Sequence, residues 1–216
     1  MVEFTFWDIA RHLLMALRWT VGLSLIAFAC GSVLALALLV LRLSKLPGAV
    51  RVVACFVQIF QGTPLLMQLF LIYFGLAMLG VDTSPLLAAS VCLTLYASAY
   101  LCDIWRGCVE SVPKGQWEAS ASLALSFGEQ LRHVILPQAM RLGIAPTAGF
   151  MVQIIKGTAL TSVIGFVEVT KAGQLIANAT FEPFLIYGCV ALMYFALCFP
   201  LSLWSQRLER RLRPAS

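Results

Sequence analysis

Two short stretches set polar side chains inside otherwise apolar sequence. The first, Gln58 to Leu65, reads QIFQGTPL and is followed by Gln68; the second, Gln153 to Leu160, reads QIIKGTAL. They match at a constant offset of 95 (153 − 58), which pairs Gln58, Gln61, Gly62, Thr63 and Pro64 with Gln153, Lys156, Gly157, Thr158 and Ala159. Amides, hydroxyls and one ammonium group make hydrogen bonds and hold a charge; they do not break bonds. Such groups are costly in hydrocarbon and ordinarily face a cavity or a partner helix. A Gly-Thr-Pro sequence inside a span also frees backbone groups, which must meet protein or water. Two readings are open: kinked helices that use polar side chains for packing, or two interrupted segments facing one solute path. Lys156 is the stronger candidate for a role, either meeting a substrate carboxylate or holding Glu168 in a gate. Glu168 and Lys171, three residues apart, fall on one helix face. A surface ion pair is the simpler reading, and binding of the two ends of a zwitterion the alternative.

Bond-breaking chemistry has little to work with. The only histidines are His12 and His133, neither inside an apolar run, and no Gly-x-Ser-x-Gly or intramembrane aspartate pair is present. A hydrolase needs a nucleophile and a base placed together. The phosphate loop G-x-x-x-x-G-K-[ST] is also missing, so ATP hydrolysis would fall to another polypeptide. The seven cysteines form no C-x-x-C pair and sit mostly in apolar runs, as buried thiols do. No metal site is expected.

The longest hydrophilic interruption runs from Lys114 to Arg141. Its first part reads as a short helix over 114–127. Pro113 suits a first turn, and Trp117, Ala121 and Leu125 recur at four-residue spacing with Glu118 and Ser122 beside them. Small residues (Gly115, Ala119, Ser120, Ala121, Ser122, Ala124) would let another surface approach its backbone. On pattern alone it is equally a helix resting on the membrane surface.

The elements that must position these groups follow from composition. With 61% hydrophobic and 12% charged residues, the chain belongs to the polytopic helical membrane class, as one membrane domain over residues 1–216. Apolar runs predict five spans near 19–41, 52–81, 83–102, 142–167 and 183–206, with residues 157–181 able to fold back partway. Residues 1–18 read as an interfacial amphipathic helix leading into the first span, and no removable leader is expected. Eleven Lys and Arg fall in the loops after spans one and three and in the tail, against three (Arg11, Arg18, Lys171) on the other side. That bias puts the long loop and the C-terminus in the cytoplasm and the N-terminus outside. The basic excess thus serves topology, and no nucleic-acid partner is expected.

Against this frame three blocks resemble one family. Glu118-Ala119-Ser120, Ala124 and Val134-x-Leu136-Pro137 are similar to the EAA loop of ABC importer permeases, EAA-x3-G-x9-I-x-L-P, with serine, alanine and valine in place of alanine, glycine and isoleucine. QGTPLLMQLFLIYFGL (61–76) resembles RGTPLLxQLFxIYFGL of amino-acid permeases of the histidine/glutamine type, and KGTALTSVIGFVEVTKAGQ (156–174) resembles their second signature, K-x-T-x-L-x-S-x-I-G. Gln61 stands for the usual arginine and Gly157 where many relatives carry aspartate. The resemblance implies an all-α permease of the ABC type I importer fold whose helix over 114–127 couples to an ATPase. Gly115, Trp117, Glu118, Ala119, Ser120, Ala124, Leu136 and Pro137 would serve the coupling. Gln58, Gln61, Gly62, Thr63, Pro64, Gln68, Gln153, Lys156, Gly157, Thr158, Glu168 and Lys171 would border the path. It further implies a second permease, identical or homologous, two cytoplasmic ATPases that bind ATP and Mg, and a periplasmic or lipid-anchored amino-acid-binding protein. The setting would be the bacterial inner membrane and its lipid. A passive channel for another small polar solute is the alternative; it has no use for an ATPase-docking helix.

Overall fold

The computed structural model describes residues 5–44 and 46–212. Among these, all regular structure is helical. Four helical runs are long and apolar enough to cross a membrane: Phe6–Leu43 (α1), Pro85–Glu110 (α4), Phe127–Ile164 and Pro183–Leu212 (α9). A fifth crossing arises if the bent pair Pro47–Gly62 (α2) and Leu65–Met78 (α3) counts as one. Large apolar side chains point outward along these helices, Val33 at 70% exposure and Leu71 at 75% among them. Water would penalise such a surface, whereas hydrocarbon accommodates it.

The centre of the packing is the seam between α1 and α4. Leu23, Ala27, Ala35 and Leu39 of α1 are buried with Ala89, Cys92, Leu93 and Ala97 of α4, and Phe150 and Ile154 add the third wall. In a membrane the helices gain little from hiding apolar surface, so close approach of small residues takes over. Gly31 shows this directly: a Cβ built there would lie 2.6 Å from the Ala97 Cβ.

Several expected boundaries shift. Residues 6–18 do not form a separate interfacial helix; they are the first turns of α1, continuous to Leu43. Their apolar residues Ile9, Leu13 and Ala16 are buried against Val169 and Ile176 of α8 (Val169–Thr180) and Ile186 and Val190 of α9, so tertiary contact rather than lipid takes that face. Residues 1–4, Lys45 and Arg213 lie outside the described residues. The span predicted to stop at Cys102 runs on to Glu110, because Asp103, Arg106 and Glu110 share one face and neutralise one another. Residues 169–180 do fold back, as α8 between its neighbours, after a left-handed turn at Gly165.

The long loop divides into three parts. α5 (Lys114–Ser122) is the predicted helix, five residues shorter than the 114–127 expected. A three-residue turn, α6 (Phe127–Glu129), then leads through a π-helical stretch, Gln130–Ile135, into α7 (Leu136–Thr158). Pro137 explains the widened turn: its ring clashes with the carbonyl four residues back, and a π-bulge relieves that.

Candidate functional site

α5 is held by its inward residues. Trp117 packs among Val109, Val112, Ile135 and Ala139, and its ring lies 6.0 Å from that of Phe127 at an interplanar angle of 18°. Ser120 is buried at 3% exposure and donates to the Trp117 carbonyl at 2.9 Å. Across the loop, the Gln138 amide donates to Gln116 Oε1 at 3.2 Å and to the Val134 carbonyl at 2.8 Å. Ala121, expected to share the Trp117 face, is instead exposed. The outward face comprises Gly115, Glu118, Ala119, Ser122 and Leu123, the last 75% exposed. These positions follow the 3–4 periodicity of one helix face, mostly small, with one carboxylate and one leucine.

The end of α5 explains the glycine in the resembled motif. Ala124 N–H donates to the Ala121 carbonyl at 2.9 Å and Leu125 N–H to the Ser120 carbonyl at 3.4 Å. This is the paired bonding of a Schellman ending, whose left-handed position is usually glycine. Ala124 occupies it with φ of 58°, at a cost of about 1–2 kcal/mol. Beyond it, the Ser126 hydroxyl and its backbone N–H both donate to Glu129 Oε2, at 2.7 and 2.8 Å. Leu136 and Pro137 lie at the start of α7, Leu136 packed against the Val109 cluster.

The first polar segment is a broken helix. Pro64 lacks an N–H and disfavours helical backbone at the residue before it; Thr63 is extended at φ −118°, ψ 144°. α2 and α3 meet there at 104°. Gln58, Gln61, Gly62, Thr63 and Pro64 are exposed, whereas Gln68 is buried at 7%. The second segment differs. Ala159 keeps the N–H that Pro64 lacks, so the chain does not break but tightens into a 3-10 turn over Ala159–Ile164. The expectation of two interrupted helices therefore holds for one of them. Gln153 and Lys156 are exposed, while Gly157 and Thr158 are buried, Thr158 at 0% with its hydroxyl on the Ile155 carbonyl at 2.7 Å. The two segments touch: a Cβ at Gly157 would lie 3.2 Å from Leu65 Cδ2 and 3.5 Å from Leu93 Cδ2.

Glu168 is neither half of a surface ion pair nor a partner of Lys156. It is fully buried and caps α8, accepting from Thr170 N–H at 2.9 Å and Lys171 N–H at 2.8 Å, with Tyr194 Oη donating at 2.7 Å. Burial with three donors replaces the cation that sequence spacing suggested. Lys171 Nζ turns to Gln174 Oε1 at 3.0 Å. Among the described residues the ion pairs are Arg42–Asp103, Arg106–Asp103 and Arg106–Glu110, all near the end of the bundle that carries α5. Thr20 is also buried, and its hydroxyl oxygen accepts from Val169 N–H at 3.3 Å. Tyr194, Thr20 and Asp103 are thus polar groups that sequence reading passed over. Asp103, Arg106 and Glu110, spaced as one helix face, carried a usable signal; Tyr194 and Thr20, single residues in apolar runs, did not.

A helical bundle with four or five candidate crossings and a short surface helix between two of them is the architecture of a polytopic membrane protein. Residues 30–214 match the binding-protein-dependent transport system inner membrane component family. The chain belongs to that family: it is a permease subunit of an ABC importer, a transport component rather than an enzyme. It is 36% identical to the L-cystine transport system permease protein TcyB of Bacillus subtilis (strain 168), over 98% of this chain and 90% of that protein. It is 35% identical to the glutamine transport system permease protein GlnP of Escherichia coli (strain K12), over 96% of this chain and 95% of the other. An amino acid ABC transporter crystallised with histidines has a chain that superposes with a TM-score of 0.90 at 29% identity, covering 97% of this chain and all of that one. The methionine ABC transporter MetNI in inward-facing conformations shares the fold at a TM-score of 0.71 and 21% identity, covering 99% of this chain and all of its own.

Proposed function

We propose that this chain is one of two membrane-spanning subunits through which ATP hydrolysis drives an amino acid across a bacterial inner membrane. The observation that carries this reading is the outward face of α5. Gly115, Glu118, Ala119, Ser122 and Leu123 form a low, small-residue stripe on a helix whose other side is anchored by Trp117. A stripe of that kind fits a groove on a partner of complementary charge. In this reading a cytoplasmic ATPase, which binds ATP and Mg, receives α5; its closure moves α5 and, through Trp117, the ends of α4 and α7. A second permease, identical or homologous, completes the path, and a periplasmic or lipid-anchored binding protein delivers the amino acid. Rocking of two packed halves between inward- and outward-open arrangements is the conformational step. The end of the bundle bearing α5, with Arg42, Arg106, Lys114, Arg132 and Arg141 nearby, faces the cytoplasm in this scheme. The test is ATP-driven amino-acid uptake by vesicles carrying the complete complex. Glu118→Lys reverses the one charge on the docking stripe, so uptake is lost while the chain still inserts and accumulates. Normal uptake by that variant, or uptake that needs no ATP, overturns the reading.

A further inference from the structure

The break between α2 and α3 leaves carbonyls at the end of α2 without helical donors, the Phe60 carbonyl among them because Pro64 has no N–H. One side chain meets that need. Gln68 Nε2 lies 2.9 Å from the Phe60 carbonyl, 3.0 Å from the Thr63 carbonyl and 2.8 Å from Thr63 Oγ1. The Thr63 hydroxyl in turn donates to the Ile59 carbonyl at 2.7 Å. A carboxamide has two N–H donors, so three acceptors share them and the group is held entirely from its donor side. Its other atom, Oε1, is buried and without a partner among the described residues. The amide orientation follows: turning it over would set Oε1 against the Phe60 and Thr63 carbonyls, leave both unmet, and draw the Thr63 hydroxyl away from the Ile59 carbonyl. Gln68 stands on the first turns of α3 and its acceptors on the end of α2 and the linking residue, so these bonds tie the two helices across the bend.

We propose that Gln68 is a positioning residue for transport: its amide latches the broken segment at its sharp angle and so fixes the exposed Gln61, Thr63 and Pro64 beside the Leu65–Gly157 contact. The proposal deepens the transport reading above, and its uptake arm rests on that reading. Without the latch the Phe60 carbonyl has no donor left, because Pro64 offers no N–H to replace the amide, and nothing then holds α2 and α3 at one angle. The exposed polar edge then no longer has one position.

Gln68→Met keeps the length and nearly the volume of the side chain but removes both donors; Gln68→Glu keeps the shape and opposes the acceptors with a further acceptor. Spin labels on the exposed Cys55 of α2 and on Met78→Cys of α3, with the other cysteines replaced, read the bend in the full complex. The parent should give one narrow distance. Gln68→Met should broaden it and lower uptake about tenfold, the equivalent of one to two lost hydrogen bonds. Gln68→Glu should be worse in both. A packing role predicts the opposite order, with methionine close to the parent. Parent-like distances in Gln68→Met, with or without an uptake defect, overturn the proposal. If Gln68→Met does not accumulate, Gln68→Leu, which likewise has no donor, takes its place; it should broaden the distance, and a parent-like distance overturns the proposal equally. Should the parent complex show no ATP-driven uptake, the transport reading fails while the distances still report on the latch.

Discussion

Replacing Gly31 by alanine should loosen the whole bundle, because this glycine sets the spacing between α1 and α4. The added methyl carbon would lie 2.6 Å from the Ala97 Cβ and 3.3 Å from the Thr94 carbonyl oxygen. Carbon atoms rest at about 3.5–4.0 Å, so the seam must open by roughly 1 Å or the helices must slide. Neither Cβ can rotate away. Overpacking of this kind costs about 1–3 kcal/mol; a value near 2 kcal/mol lowers the melting temperature by about 4–8 °C in a chain of this size. Cys92 and Cys102 are fully buried in the same cluster and give a direct readout. With the exposed Cys30 and Cys55 replaced by serine, a thiol-reactive dye should light up at the temperature where the seam opens. Ala97→Gly removes the opposing methyl. In that background Gly31→Ala should cost clearly less, only the tight approach to the Thr94 carbonyl oxygen remaining, a coupling that a double-mutant cycle reads directly. Equal melting of parent and Gly31→Ala, or an equal penalty in both backgrounds, refutes the claim that this contact sets the helix spacing.

Ala124→Gly relieves the left-handed strain at the end of α5 and should raise the melting temperature, by about 1 kcal/mol of stability; an unchanged or lower value argues against the Schellman ending. A cysteine introduced at Asp82 should react with an impermeant thiol reagent in intact cells and one at Lys114 should not; labelling at Lys114 inverts the topology and removes the coupling argument with it. Lys156→Met should lower uptake while leaving stimulation of ATP hydrolysis by the binding protein intact. A gate role, in contrast, predicts hydrolysis independent of that protein, and full activity in both assays means that Lys156 only reaches toward the membrane surface.

What sequence could reveal depended on whether the signal was local. The α2–α3 break was legible because Pro64 acts on its own backbone, whatever surrounds it. The matching segment at Lys156 misled for the same reason: the echo in residue type was real, yet Ala159 lacks the one property that interrupts a helix. The surface helix α5 was legible from its small residues and Trp117, but its end was not, because Ala124 adopts a conformation its side chain disfavours and only the Ser120 and Ala121 carbonyls make it hold. Glu168 shows the limit most clearly. Spacing offered Lys171 as its partner, whereas the actual donors are two backbone N–H groups and the hydroxyl of Tyr194, 26 residues onward. Charge pairs close in sequence can be read off; a buried acid satisfied from another helix cannot. The family motifs carried the assignment of function, while the residues expected to border the path divide in the structure into exposed (Gln58, Gln61, Gln153, Lys156) and buried (Gln68, Thr158) groups that their types alone did not separate.

α1 has 38 residues, about 57 Å of unbroken helix, against a hydrocarbon layer of about 30 Å. It contains no proline and is held at two points along its length. In its first half, Thr20 Oγ1 accepts from Val169 N–H at the head of α8; in its last turn, Arg42 pairs with Asp103 at 3.6 Å. About 33 Å of unbroken helix thus separates the contact with α8 from the contact with α4, and no proline between them supplies a hinge.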